Sequence, residues 1–196
     1  EGGLNMDKLS YFTKEIDYIK DDKRKEDLKY LINLLPDYFF DIPASSTGKY
    51  HPTFAKTKHG LLKHTKLAVR FAYELLCNNT IGCKFTDTEK DLIIMALVLH
   101  DGLKKGDPEE KYTRVDHPLL ISNLIMSHAK ELSLDIDDTR KMCSMIESHM
   151  GEWNYDYLTK KEVLPKPKNE LERFVHMCDY LASRKCFDVK FNNLDL

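Results

Sequence analysis

The sequence predicts an all-α protein, and three observations carry that expectation. Apolar residues recur three and four positions apart along most of the 196 residues, the period of a helix with one buried face. No segment alternates apolar and polar residues strictly, as a half-buried strand would. Helix punctuation falls where the periodic stretches begin and end. Thr86-Asp-Thr-Glu89 reads as a capping box, Pro118 stands in a first turn, and Gly151 follows a periodic stretch.

The elements follow in order. An amphipathic stretch over about 7–20 carries Leu9, Phe12, Ile16 and Ile19 as its stripe. A second, over 24–35, stops before Pro36. Residues 36–58 hold three prolines, Gly48 and the Ser45-Ser46-Thr47 cluster, a long loop of the kind that usually serves function or is disordered. A helix over 60–77 buries Leu61, Leu62, Leu67, Ala68, Phe71, Leu75 and Leu76. The Thr86 box opens a helix over 87–100 that is apolar nearly all round in its second half, which predicts the central buried element. The charged stretch 101–116 is a loop. Helices over 117–130 and 135–149 come next, the second closed by Gly151 in a left-handed cap. A second long loop over 150–168 contains Trp153, and a last helix spans 169–186. The division is an N-terminal helical segment over 1–35 packed on the core, a helical bundle domain over 36–186, and a tail over 187–196.

Composition narrows the function classes. Thirty basic against 32 acidic residues leave a formal net charge of −2, which argues against a dedicated non-specific DNA coat. The longest apolar run, Leu92–Leu99, is far short of the ~20 residues a membrane span needs. No secretory signal is visible, so the expectation is a cytoplasmic protein with no membrane partner. Five cysteines with no C-x-x-C fit reduced, mostly packed thiols better than a disulfide framework or a Cys-rich zinc site. The oligomeric state stays open, a dimer included.

Eight histidines stand out from this composition. His100-Asp101 ends the run Leu92–Leu99, where two polar side chains are costly unless satisfied. A divalent metal would satisfy both; a buried His–Asp hydrogen bond would do so as well. The other ligand-type groups fall on neighbouring helices. His64 lies on the preceding helix, His117 opens the one after the charged loop, and His149 ends the following one. Asp179 sits within the last helix, where an Asp among apolar neighbours needs a partner. Facing helices of a bundle build metal sites from such groups.

The ordered pattern His64, His100-Asp101, His117, His149, Asp179 resembles the HD superfamily of metal-dependent phosphohydrolases. The minimal signature of that family, H … HD … D, is matched by His64, His100, Asp101 and Asp179. His117 and His149 resemble the branches that hold a second metal, and Lys104 fits an HD-x-x-K extension. A closer resemblance is to the HD domain of bacterial 3′→5′ exoribonucleases and related small phage and bacterial proteins. It rests on Ile42-Pro-Ala-Ser, Tyr50-His51-Pro, Gly60-Leu-Leu-Lys-His64-Thr, Ser148-His149-Met-Gly-Glu-Trp153 and His176-Met-Cys-Asp179-Tyr-Leu. His149-Met150 stands where many relatives have two adjacent histidines. The separate OB domain of the exonucleases has no room in 196 residues, which favours phosphohydrolysis over RNA as the substrate.

The resemblance implies a helical HD domain with a metal site between its central helices. One or two divalent ions (Mn, Fe, Mg, Co, Ni or Zn) would be held by His64, His100, Asp101, His117, His149 and Asp179. Asp101 would bridge, with His64, His100 and Asp179 completing one site and His117 with His149 the other. The implied reaction is cleavage of a phosphoester or phosphodiester bond of a nucleotide or oligonucleotide end by a metal-activated hydroxide. Asp101 and Lys104 are the candidate catalytic residues, Lys104 as the cation that meets developing charge. Lys49, His51, Arg114 and Arg184 are candidates for substrate binding, Trp153 and Tyr155 for stacking on a base, and His176 for support of Asp179. Three other readings compete: a catalytically silent helical binding or regulatory module, a 3′→5′ exonuclease acting on RNA or single-stranded DNA, and a di-iron oxygenase. Lys49, Lys56, Lys58, Lys63 and Lys66 would line a polynucleotide groove, unless they simply form a solvated face.

Overall fold

Helices account for every regular element in the computed structural model, which describes residues 7–45, 48 and 51–188. They are α1 (Thr13–Asp17), α2 (Asp22–Leu34), α3 (Gly60–Cys77), α4 (Asn79–Gly82), α5 (Asp87–Leu99), α6 (His117–Ser127), α7 (Ile136–Glu147) and α8 (Glu170–Ala182). Among the described residues the only β-type pairing is an isolated bridge between Tyr155 and Glu162. No helix of the described residues is long and apolar enough to cross a membrane.

The long helices lie where the period and punctuation place them. The Thr86 box is complete: Thr86 Oγ1 accepts from the Glu89 amide at 3.2 Å, and Glu89 Oε2 accepts from the Thr86 amide at 2.8 Å. Residues Asp91 to Leu99 of α5 are all buried. That helix packs against α2, α3, α7 and α8, while α3 packs on α8 and α6 on α7. Its C-terminus therefore opens at the centre of the bundle.

Two elements differ from the sequence expectation. The 7–20 stretch is not one helix: a 3-10 turn over Lys8–Phe12 precedes the short α1. Ser10 Oγ donates to the Asp7 carbonyl and Asp7 accepts from the Ser10 amide, local bonds that compete with a continuous α-ladder. The four-residue α4 was not expected. Asn78 caps it by accepting from Thr80 and Ile81 amides, and it is too short to show a period.

Residues 7–35 and the bundle share one core. Phe12, Ile16, Ile19, Leu28, Leu31 and Ile32 join the same apolar cluster as α5. Two buried carboxylates pin this packing. Asp91 of α5 accepts from the Lys20 amide (2.9 Å), the Asp21 amide (3.1 Å) and Arg24 Nε (3.0 Å). Asp27 of α2 accepts from Ser133 N, Ser133 Oγ and Leu134 N. Each satisfies main-chain donors at a chain turn that no helix ladder pairs. Beyond α8 the chain returns to the bundle: Asp188 accepts from Thr53, and Phe187 packs on Phe71. The five cysteines are free thiols, as expected, but only Cys143 and Cys178 are packed; Cys77, Cys83 and Cys186 are exposed.

Candidate metal centre

Five helix ends or turns deliver the six ligand-type side chains to one point. His64 projects from the second turn of α3. His100 and Asp101 follow α5, whose last residue is Leu99, and His117 opens α6. His149 comes two residues after α7, and Asp179 lies in the second half of α8. His64, His100, Asp101, His117 and His149 are each no more than 1% exposed, and the Asp179 side chain is 16% exposed.

Three overlapping groups can hold a metal ion: His64–His100–Asp101, His100–His149–Asp179, and Asp101–His117–His149, with the ligand atoms of each within 4.8 Å of one another. His100, Asp101 and His149 each belong to two groups. The grouping differs from the expected division in one respect: His149 pairs with His100 and Asp179 as well as with Asp101 and His117.

The main chain sets the histidine tautomers. His100 Nδ1 lies 2.7 Å from the Leu97 carbonyl, His117 Nδ1 2.6 Å from that of Arg114, and His149 Nδ1 2.7 Å from that of Ile146. A carbonyl only accepts, so each Nδ1 donates and, in the neutral ring, each Nε2 presents a lone pair. Those lone pairs face carboxylate oxygens. His117 Nε2 is 2.8 Å from Asp101 Oδ1, His149 Nε2 3.6 Å from the same atom, and His100 Nε2 3.4 Å from Asp101 Oδ2 and 3.3 Å from Asp179 Oδ1. His100 Nε2, His117 Nε2 and Asp101 Oδ1 are buried and make no hydrogen bond. Acceptors packed against acceptors repel unless a cation lies among them. A proton relieves one such contact; a metal ion relieves several together. The orphaned atoms therefore fit a divalent metal, and backbone-anchored imidazoles are the usual support of such ligands.

Asp101 follows the C-terminus of a helix, where the dipole disfavours an anion. Burial pushes its carboxyl up, but the Lys104 ammonium and His100 override this and hold it well below the usual carboxylate range. Lys104 Nζ is 2.5 Å from Asp101 Oδ2. Burial likewise opposes ionisation of Asp179, and the close approach of His100 together with a hydrogen bond from His64 at 2.8 Å overrides it. Burial pulls His100 down, yet the two carboxylates lift it to about 10, so without metal this ring holds a proton on Nε2 that a metal ion would have to displace. In His149 burial wins and the ring is held neutral, as a ligand must be.

A cavity of about 380 Å³ adjoins the cluster, lined by His64, His149 and Asp179 on one side and by Lys104 and His51 among others. Burial, then His64 and Lys104, push His51 down to about 3. Its ring centroid is 5.3 Å from that of His64. Arg184 also lines the cavity, so the structure brings Lys104, His51 and Arg184 to the ligand set.

The structure does not bring Arg114 there. Its guanidinium is bound by Asp116 at 2.8 Å and Glu110 at 2.6 Å, and it lines a separate surface depression. What Arg114 offers the centre is its carbonyl, which fixes the His117 tautomer. Lys49 lies outside the described residues. Lys66, one of the expected groove lysines, turns instead to the Tyr11 carbonyl and Glu15. His176 supports the centre differently from expectation: Nδ1 donates to the His149 carbonyl at 2.7 Å rather than touching Asp179. His128 is half-buried and bonded to the Tyr30 hydroxyl at 2.7 Å.

Sequence reasoning missed Met150, Tyr180 and Ser183, which line the same cavity. The signal for two of them was present. His176, Asp179, Tyr180, Ser183 and Arg184 recur at i, i+3, i+4, i+7 and i+8, the spacing of one face of α8 carried just past its end at Ala182. Tyr180 and Ser183 have residue types that do not advertise the role.

The chain matches no protein-family model, no curated protein and no solved structure.

Proposed function

We propose that this chain is a metal-dependent phosphohydrolase that cleaves a phosphoester or phosphodiester bond of a nucleotide or oligonucleotide end. The observation that supports it most is the convergence of imidazole nitrogens and carboxylate oxygens from His64, His100, Asp101, His117, His149 and Asp179 beside a cavity that Lys104 also lines. The chain order of those residues is the HD-type order, and their residue types suit Zn, Mn, Fe or Co.

One or two divalent ions held by this set would polarise a phosphoryl oxygen and acidify a water into the neutral range. The remaining roles belong to the chain. Lys104, hydrogen-bonded to Asp101, places a positive charge where negative charge grows on the phosphoryl group. His51, held neutral by burial, can exchange a hydrogen bond with a phosphate or leaving-group oxygen at the cavity wall. The main-chain carbonyls of Leu97, Arg114 and Ile146 keep three imidazoles oriented through the reaction.

The test is hydrolysis of bis-p-nitrophenyl phosphate with added Mn²⁺ or Co²⁺ and with EDTA. The reading expects metal-dependent release of p-nitrophenol that Asp101→Ala abolishes while the helical circular-dichroism spectrum persists. Metal-independent release, or full activity in that variant, contradicts it. A further panel of nucleotides and short RNA and DNA separates the substrates.

A further inference from the structure

The cavity has a second wall that the metal chemistry does not use. Trp153 and Tyr180 stack with ring centroids 5.6 Å apart and planes 10° from parallel. The Arg184 guanidinium lies over both, 4.3 Å from the Tyr180 ring and 5.7 Å from that of Trp153. Arg184 is further held by Ser183 Oγ, which accepts from Nε at 3.1 Å. All four residues line the cavity together with His64, His149 and Asp179. Such a wall is costly on a surface: two large aromatic rings remain 38% and 37% exposed. Aromatic pairs with a stacked guanidinium favour flat, electron-rich groups.

We propose that Trp153, Tyr180 and Arg184 form a base-recognition wall, so that the site takes one nucleotide with its base against the wall. The inference rests on the phosphohydrolase reading and names the part of the substrate that this chain selects. Two observations carry it. The wall and the ligand set line one cavity, so a single molecule filling it touches both. The cavity, about 380 Å³, falls within the range of small-molecule sites and can take one nucleotide. Stacking tolerates all bases, so the wall would choose nucleotides over other phosphoesters without choosing among bases. A free mononucleotide and the last nucleotide of a strand share this chemistry.

Trp153 is the sole tryptophan of the sequence, so its fluorescence reports the wall alone. The experiment titrates AMP, ribose 5-phosphate and a five-nucleotide single strand into the EDTA-treated protein, read by fluorescence and calorimetry. AMP is expected to quench Trp153 and bind roughly five- to 150-fold tighter than ribose 5-phosphate, the range that base stacking supplies. Trp153→Ala should remove that preference, Trp153→Phe should keep most of it, and Tyr157→Ala, exposed in the same loop, should leave it unchanged. If the pentanucleotide matches AMP in quenching and affinity, the base on the wall belongs to a strand end; if AMP alone binds, it belongs to a free nucleotide. Equal affinity for AMP and ribose 5-phosphate, no AMP binding at millimolar concentration, or an unchanged preference in Trp153→Ala overturns the proposal. Metal-dependent hydrolysis of bis-p-nitrophenyl phosphate is measured separately, so loss of the wall and loss of the hydrolase reading give different results.

Discussion

His117 Nε2 lies 2.8 Å from Asp101 Oδ1, both buried, with no hydrogen bond between them. The Arg114 carbonyl claims the His117 Nδ1 proton, so the nitrogen that faces the carboxylate carries a lone pair. His117 opens α6. A cation is what the pair lacks. The same backbone anchoring recurs at His100 and His149, so three imidazoles turn Nε2 towards the Asp101 carboxylate in an arrangement that could hold a metal ion.

Without metal, protons must do part of that work, and stability should then depend on pH in a defined way. His100 is lifted to about 10, above its ordinary 6.5. A raised pKa stabilises fully below about 6.5 and is lost as pH rises through 10. His51, pushed down to about 3, acts in the opposite sense: its contribution is present above 6.5 and fades as pH falls towards 3. The melting temperature of the EDTA-treated protein should peak near neutrality and decline on both sides. Saturating metal should flatten the alkaline arm, since a ligated His100 needs no proton. An alkaline arm identical with and without metal would count against this.

Lys104 is bound to Asp101 but is not among the ligand groups. Lys104→Met is expected to retain metal and lose on the order of 10²-fold in hydrolysis rate, as for loss of one charge-stabilising donor. Elemental analysis beside the rate measurement checks both halves. A rate within twofold of the parent would remove Lys104 from the chemistry.

Gly151 has φ +58, and a Cβ there would meet the His176 ring at 2.2–2.7 Å. Gly151→Ala therefore combines backbone strain with displacement of the ring that bonds the His149 carbonyl. A loss of about 2 kcal/mol is expected, or several degrees in melting temperature, with weakened metal affinity. Unchanged melting would mean the ring has another place to go.

Asp91 separates structure from chemistry. It is as buried as Asp101 but already accepts three hydrogen bonds. Asp91→Ala should cost about 3–5 kcal/mol, the usual effect of stranding the partners of a buried charge, while metal binding per folded molecule is kept. Thermal melts and metal titration of the same sample check this.

Much of the arrangement was legible in the sequence, for physical reasons. α5 revealed itself because a helix apolar on all sides has only one place to go, and His100-Asp101 at its end made the burial chemically costly. The bounds of α3 were legible through its long stripe, although Leu67, Phe71 and Leu75 are only half-buried. The ligand set was legible because histidine and aspartate next to apolar residues need partners. Other features lacked such a signal. Asp91 and Asp27 look like surface residues until the main-chain amides that bind them are seen. Arg114 looks like a phosphate ligand, because composition cannot show that Asp116 and Glu110 already hold it. The Trp153–Tyr180 stack joins a loop to a helix 27 positions later, a pairing that only the fold creates.

The central claim is that this cluster is a metal centre. Calorimetric titration of Mn²⁺ into the EDTA-treated protein, with Asp101→Ala as the control, tests it most directly. The account expects saturable binding of at least one ion per chain, a matching rise in melting temperature, and loss of both in a folded Asp101→Ala variant. No binding heat and no thermal shift in the parent chain, or equal binding by the variant, would contradict it.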